Sequence, residues 1–556
     1  MSHAVVHALT AARSLLPHRS DYASLRKTWR GDLLAGLTVG IVALPLALAF
    51  GVSSGVGAEA GLVTAIVAGL VAAVFGGSHV QVSGPTGAMV VVLAPIVATH
   101  GVGAVALLSV LAGVIVVLLG ATRLGRAVAY IPWPVVEGFT LGIGVIIFLQ
   151  QVPSAVSAHV MPGQNTAVAA FEALGAAPWP RAVASVGVVV FVAAVTLLVP
   201  RLHRAFPASL IAIVAASFGA ALLGLDVERI GSLPPSLPAP SLPGLADLPE
   251  LTGPAVAIAA LAAIESLLSA RVASGLAGPD GRATGPYNPD RELVGQGLAS
   301  LAAGFFGGMP ATGAIARTAV NVRSGGRSRL AAIVHALVLL GVVYLAAPLV
   351  AQIPLAALAG VLMVTAGRMV SVRTARRVLG STRHDAVAFV LTAVITVSFD
   401  LIVAIQIGLV AAALLTLRQF AKLGGVRREP IVGPAHDGDE RIAVFRLDGL
   451  MFFGAAERIL SEISGLSSAP GIEVVVLRLS QLRYLDATGA QALVEVIRLL
   501  EARGITVLLK GVQEQHLHLV QRVGVIAELR HHRHLFDSLD DAVEHARSHV
   551  HRARSV

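Results

Sequence analysis

From about Asp32 to Phe420 the chain alternates long apolar runs with short loops of glycine, proline and arginine. A helix needs about 20 apolar residues to cross a bilayer. Twelve runs approach that length, at residues 33–50, 61–76, 102–120, 128–150, 179–199, 205–224, 254–270, 288–306, 328–350, 352–369, 384–400 and 401–420. Two further apolar pieces, 86–98 and 311–322, are too short to cross alone. The pattern predicts fourteen segments in an all-α polytopic domain over 32–420, after an N-terminal segment at 1–31. The first run is not a secretory signal, because roughly thirty residues precede it and no small-residue cleavage site follows.

After Pro430 the pattern changes. Arg441–Leu447, Glu473–Leu479 and Ile505–Lys510 are short β-rich runs, and helical stretches follow near 455–467, 488–503, 514–524 and 538–549. Strands alternating with helices predict a small α/β domain at 438–556, joined to the membrane domain by a linker at 421–437.

Composition excludes several functions. Of the 556 residues 55% are hydrophobic and 13% charged, against about 25% charged in soluble domains. The absence of cysteine removes disulfides and thiolate metal sites. No Walker A, H-E-x-x-H or G-x-S-x-G motif is present, so neither an enzyme nor a cofactor is expected. The net charge of +9 is a matter of topology rather than of nucleic-acid binding, and 4% aromatic residues leave few platforms for stacking bases. Arg26, Lys27 and Arg30 precede the first span, Arg123 and Arg126 follow the fourth, and Arg201 and Arg204 the sixth. Arg323, Arg327 and Arg329 follow the tenth segment, Arg373, Arg376, Arg377 and Arg383 the twelfth, and Lys422, Arg427 and Arg428 the last. If every segment reverses direction, all of these lie on one side, which predicts a multi-pass protein with both termini cytoplasmic.

The two half-length pieces resemble each other. The first follows Phe75-Gly76-Gly77 and carries Thr86-Gly87-Ala88, while the second follows Phe306-Gly307-Gly308 and carries Thr312-Gly313-Ala314. Each is the third of a set of seven, so two repeats, at about 32–225 and 254–420, enter the membrane in opposite senses. Short, interrupted segments at matching positions of inverted halves mark a midplane binding site. A helix that starts inside the bilayer leaves unpaired N–H groups and a positive dipole end, and two such ends facing each other attract an anion. Val80-Gln81-Val82-Ser83 is strand-like, and Pro85 fits the first turn of a half-helix.

At these residues the chain resembles the SulP (sulfate permease) anion transporters, bacterial relatives of the solute-carrier sulfate/anion exchangers. The resemblance rests on residues 31–51, 75–88, 264–275 and 292–327 and on the terminal soluble domain. It implies a seven-plus-seven inverted repeat, a mobile core of segments 1–4 and 8–11, a gate of 5–7 and 12–14, and a cytosolic STAS domain. It implies too a place in a bacterial inner membrane and a homodimer. The anion-binding residues carry over to Thr86, Gly87 and Ala88 and to Gly313, Ala314, Ile315 and Ala316, with Arg317 beside the site and Phe50 lining it. Leu46 stands where the family often has glutamine, which removes one polar contact.

A carboxylate in hydrocarbon is costly enough that it is normally functional or paired, which singles out Glu265 in the span at 254–270. Ser269, four residues on, would present a hydroxyl on the same helical face. The resemblance makes Glu265 the coupling carboxylate. Arg317 would add to the positive field or form a salt bridge with Glu265. Sodium-coupled bicarbonate carriers of the family have an aspartate and a facing threonine where this chain has Glu265 and Ile315. The missing hydroxyl favours protons over sodium as coupling ion. Glu137 reads as structural, and His335 and Asp400 as wet or interfacial.

In the soluble domain Leu479–Gly489 resembles the strand-to-helix turn of STAS domains, and Thr488 occupies the position phosphorylated in anti-sigma-factor antagonists. Asp486-x-Thr488 reads equally as a helix N-cap. His531, His532, His534, His545 and His549 lack a convincing metal-ligand spacing and read as solvated surface.

The expected function is secondary transport of a small anion (sulfate, a dicarboxylate such as fumarate, or bicarbonate) coupled to protons, by an elevator movement of core against gate. An uncoupled channel, a sodium-coupled bicarbonate carrier and a membrane-anchored signalling module are the alternatives. The expected partners are the anion, protons, the bilayer and a cytosolic protein at the STAS domain, with no nucleic acid.

Overall fold

A computed structural model of the chain describes residues 13, 15–124, 132–161, 164–202, 207–234, 236–398, 407, 410, 414, 417, 425–432, 434–452 and 471–554. Most of the segment expected at 401–420, the start of the one at 128–150, Asp400 and the helix near 455–467 lie outside these residues. The chain divides into two compact units, Met1–Leu409 and Val410–Val556.

The first unit is helical. Its principal helices are α1 Leu25–Ser53, α2 Ala58–Phe75, α3 Gly87–His100, α4 Gly103–Ala121, α5 Trp133–Gln150, α6 Arg181–Leu202, α7 Ala208–Leu222, α8 Leu248–Gly275, α9 Pro289–Phe305, α10 Ile315–Arg323, α11 Arg329–Val350, α12 Leu355–Met369 and α13 Arg383–Ser398. Among the described residues, eight helices are long and apolar enough to cross a membrane. α3 and α10 are not, with 14 and 9 residues.

Packing follows the internal symmetry. α4 lies against α8 and α9, while α11 lies against α1 and α2. That exchange of partners is what an internal twofold relating α1, α2 and α4 to α8, α9 and α11 produces. A second group forms where α5 packs on α12 and α13, and α6 on α7 and α12. Glycine sets the α4–α9 distance. A Cβ at Gly113 would lie 2.8 Å from the Gly297 carbonyl oxygen, and one at Gly297 would lie 2.6 Å from the Gly113 carbonyl oxygen. Close backbone approach of this kind supplies the van der Waals contact that holds helices together in lipid.

The ends of the helices are tied by charged groups. Asn288 caps α9 by accepting from the Arg291 N–H at 3.1 Å, and Asp290 and Glu292 lie in its positive first turn. Glu292 accepts from the N–H groups of Gly77 and Ser78, each at 2.8 Å. Arg329 donates to the carbonyls of Ala73 at 2.9 Å and Gly76 at 2.6 Å, so it occupies the orphan acceptors at the end of α2. Read from the sequence as loop charge, Arg329 is in fact 1% exposed.

The second unit is a five-stranded sheet. Its strands are β3 Gly425–Glu429, β4 Ile442–Met451, β5 Val474–Leu485, β6 Thr506–Lys510 and β7 Leu535–Phe536 in that spatial order; β1 Ser83–Gly84 and β2 Thr312–Gly313 belong to the membrane unit. β4 to β7 run parallel and β3 is an antiparallel edge. Alternate strand residues bury opposite faces. Phe445, Leu477 and Leu509 pack under α14 Ala487–Ala502 and α15 Glu514–Val523, while Val444, Val476 and Leu508 pack under α16 Leu539–Arg554. β3 and β7 add to the three strands expected from the sequence, being too polar and too short to register as strand patterns.

Replacing Gly297 by valine forces α4 and α9 apart. We expect a loss of about 1–3 kcal/mol, measured as a lowered melting temperature in detergent. Gly341→Val, whose Cβ would meet nothing within 4 Å, should leave it unchanged. In the soluble unit both carboxylate oxygens of Asp439 accept from Arg547 at 2.8 Å, and these bonds hold its carboxyl down at about 2. A depressed carboxyl stabilises the fold above its unfolded value of about 3.9 and loses that contribution as pH falls towards about 2. Arg547→Ala should therefore speed hydrogen exchange of the α16 amides up to about fivefold at pH 7, and its difference from the parent should fade between about pH 4 and pH 2.

Candidate functional site

The site begins where two extended stretches meet. β1, Ser83–Gly84, pairs antiparallel with β2, Thr312–Gly313, with Ser83 opposite Gly313 and Gly84 opposite Thr312. Each leads into a short helix, α3 or α10, so the two helix N-termini start from one strand pair. The starts lie a little later than the sequence pattern suggested. Pro85 sits two residues before the first residue of α3, and Gly313 and Ala314 form the strand end and N-cap rather than helix. Ser83–Thr86 and Thr312–Ala314 are small or polar residues that fit strand, turn and first helical turn alike, so composition alone cannot place the break.

Neither helix start is capped by a side chain. Thr86 occupies the N-cap of α3 and Ala314 that of α10, and neither makes a side-chain cap bond. Threonine normally caps a helix with its own hydroxyl. Here the Thr86 hydroxyl instead donates to Glu265 Oε2 at 2.8 Å. Thr312 donates to the same oxygen at 2.8 Å and stands 3.0 Å from the Thr86 hydroxyl. One carboxylate on α8 thus bridges the starts of both half-helices, and the first-turn N–H groups keep their positive field.

Residues expected at the site from the sequence are distributed around this bridge. Gly87 and Ala88 form the buried first turn of α3, where a Cβ at Gly87 would come within 3.5 Å of the Phe50 ring and 2.3 Å of Ile147 on α5. Ile315 and Ala316 are exposed although Ala314 and Arg317 beside them are buried. Arg317 is 2% exposed and makes no ion pair with Glu265. One of its terminal nitrogens donates to the Pro85 carbonyl at 2.5 Å, and the other has no hydrogen-bond partner.

Ser269 differs from expectation. Its hydroxyl lies 3.4 Å from the Thr318 hydroxyl, and the hydroxyl partners of Glu265 come from Thr86 and Thr312. Helical spacing identifies neighbours on one helix and not those that tertiary packing brings in. Thr312, part of the repeated Thr-Gly-Ala motif, is the site residue that sequence reasoning passed over. His335, read as wet or interfacial, is fully buried against Gly69. Glu137 accepts from the Trp133 indole at 2.9 Å on its own helix, a local structural bond.

The unwound stretches are satisfied by side chains from neighbouring helices. Asn321 donates to the Val80 carbonyl at 2.7 Å, and the Val82 N–H donates to Thr318 at 3.0 Å. Thr64 accepts from the Met309 N–H at 2.8 Å, and Ser266 accepts from the Gly313 N–H at 3.1 Å. In the second unit Asp486 caps α14 by accepting from the Gly489 N–H at 2.7 Å, while Thr488 is exposed in the first turn.

Known proteins resemble the chain along most of its length. The chain is 32% identical over 522 residues to YvdB of Bacillus subtilis, a protein named for sulfate transport, covering 92% of this chain and 96% of that one. It is also 32% identical over 526 residues to the bicarbonate transporter BicA of Synechocystis sp., covering 89% and 90%. The solved transmembrane domain of a cyanobacterial BicA superposes with a TM-score of 0.62 at 31% identity, covering 68% of this chain and 98% of that one. Murine Solute Carrier 26 family member A9 superposes with a TM-score of 0.84 at 17% identity, covering 99% and 95%, which shows a shared fold. The sulfate permease family profile matches residues 29–392 and the STAS domain profile residues 434–542. The chain belongs to the sulfate permease family, a family of membrane transporters rather than enzymes, and carries a STAS domain after its helical membrane domain.

Proposed function

We propose that this protein is a proton-coupled secondary transporter of a small anion, taking sulfate, bicarbonate or a dicarboxylate such as fumarate across the bacterial inner membrane. The observation that carries this reading is the single carboxylate, Glu265, hydrogen-bonded to the starts of both half-helices. An anion between α3 and α10 would be held by the uncapped first-turn N–H groups at Gly87, Ala88, Ile315 and Ala316. The unpaired guanidinium nitrogen of Arg317 would add a charge-assisted bond.

Proton chemistry fits the same triangle. Three close oxygen–oxygen contacts join Glu265, Thr86 and Thr312, yet the two hydroxyls bring only two protons. A proton on Glu265 supplies the third and removes a negative charge that would repel the substrate. Proton binding and anion binding thereby favour one another. Ile315 offers no oxygen where the family's sodium-coupled bicarbonate carriers have threonine, which favours a proton over a hard cation as the coupling ion.

Transport itself would come from the α1–α4 and α8–α11 group, which carries every residue of the bridge, sliding as a body past the α5–α7 and α12–α13 group. Gly87 would be the point of closest passage, since its backbone meets Ile147 of α5 with no room for a side chain. On this reading the basic loops and both chain ends face the cytoplasm, two copies form a dimer, and Thr488 is a site where the STAS domain would be modified or meet a cytosolic protein.

Uptake of labelled sulfate, bicarbonate and fumarate into proteoliposomes, each competed by the others at two external pH values, tests the reading and selects the anion. Glu265→Gln should abolish stimulation by an inward proton gradient while leaving anion exchange measurable. Gradient-driven uptake that survives in this variant overturns proton coupling through Glu265. Arg317→Gln should raise the apparent KM for the anion about tenfold or more, the cost of one charge-assisted hydrogen bond of about 1.5–3 kcal/mol, with little change in the pH dependence.

A further inference from the structure

The soluble unit contains a cluster of side chains that the transport reading does not use. His534 comes from the turn before β7, and His545 and His549 lie one helical turn apart on the inner side of α16. One ring nitrogen from each of the three lies within 4.8 Å of those of the other two. The Nε2 atoms of His545 and His549 are 3.3 Å apart. Two imidazole nitrogens bound at 2.0–2.1 Å to a tetrahedral zinc ion are separated by about 3.3–3.4 Å, so this pair already has the required spacing. His534 is 3% exposed, and its Nδ1 has no hydrogen-bond partner. An imidazole withdrawn from water normally has its nitrogens occupied.

We infer that the STAS domain binds one divalent transition-metal ion of the zinc type, through His534, His545 and His549. Three neutral imidazoles suit zinc, copper or nickel and leave a hard cation such as magnesium without oxygen ligands. The fourth position would take water or the imidazole of His531, whose ring centre lies 6.1 Å from that of His534. Bound metal would tie the C-terminal helix to the β7 turn, adding to the apolar packing of Ala542, Ala546 and Val550 that already includes Phe536 of β7. His545 and His549, one helical turn apart, have a ligand spacing, but the third member, His534, read from the sequence as solvated surface, is buried and comes from a separate turn upstream.

The test uses full-length protein purified without a polyhistidine tag, stripped with EDTA and dialysed against Zn2+. The parent should hold one equivalent more zinc per chain than His545→Ala/His549→Ala, which allows for weak binding by other histidines. Zinc, and not magnesium, should raise the parent's melting temperature and slow hydrogen exchange in α16. If the double variant is poorly folded, His549→Gln, at a partly exposed position, should lose the same equivalent. Equal zinc content in parent and variants, or α16 exchange indifferent to zinc, overturns the inference.

Discussion

The membrane unit depends on one constraint, that two stretches of extended backbone must find hydrogen-bond partners where no water is available. Unsatisfied peptide groups at that depth cost several kcal/mol each. Here the cost is met from outside the stretches. Asn321 and Thr318 of α10 serve the stretch before α3, while Thr64 of α2 and Ser266 of α8 serve the stretch before α10. The first broken segment is thereby held by a helix of the opposite repeat, and the second by one helix of each repeat. The small, hydroxyl-rich character of this interior follows, because a bulky apolar residue at any of these positions would orphan a peptide group.

That constraint also leaves the groups on which the proposed site rests. Because the neighbours satisfy the extended residues and no side chain caps α3 or α10, the first-turn N–H groups remain open and, with the buried guanidinium of Arg317, make this part of the apolar interior positive. Glu265 then sits opposite two hydroxyls that have no other task. If Thr86 capped its own helix, as its position would ordinarily dictate, the carboxylate would lose a partner and the helix start would lose part of its field.

The sequence makes the repeated Thr-Gly-Ala motif, the half-length runs and the solitary carboxylate at Glu265 legible, because each is a departure from an otherwise uniform apolar pattern. The exact helix starts are not legible, since Thr312, Gly313 and Ala314 are as compatible with helix as with strand when only hydrophobicity is weighed. Ser269 was the expected hydroxyl because spacing along one helix is all that a sequence offers. The actual partners come from residues 179 and 47 positions away. Arg329 was assigned to a loop for a related reason: a basic residue beside a span is usually loop charge, and only the fold places the end of α2 against it. In the soluble unit the strands with strong apolar runs were visible, while β7 and the histidines it brings to α16 were not.

The two repeats share a backbone plan, but their chemistry is unequal, and the proposed proton coupling would depend on that inequality. The first repeat supplies a hydroxyl at Thr86 and an apolar lining from Phe50 and Ala88. The second supplies Thr312, the carboxylate and the arginine, all within Glu265–Arg317. If both halves carried a carboxylate, two protons rather than one would be needed before the site could accept an anion. If both carried an arginine without a carboxylate, it would bind the anion with no means of linking release to a proton. In the proposed mechanism one Glu265 shared between two helix starts would let a single proton change the field at both of them, so the symmetric scaffold sets the geometry and the asymmetric side chains its sign.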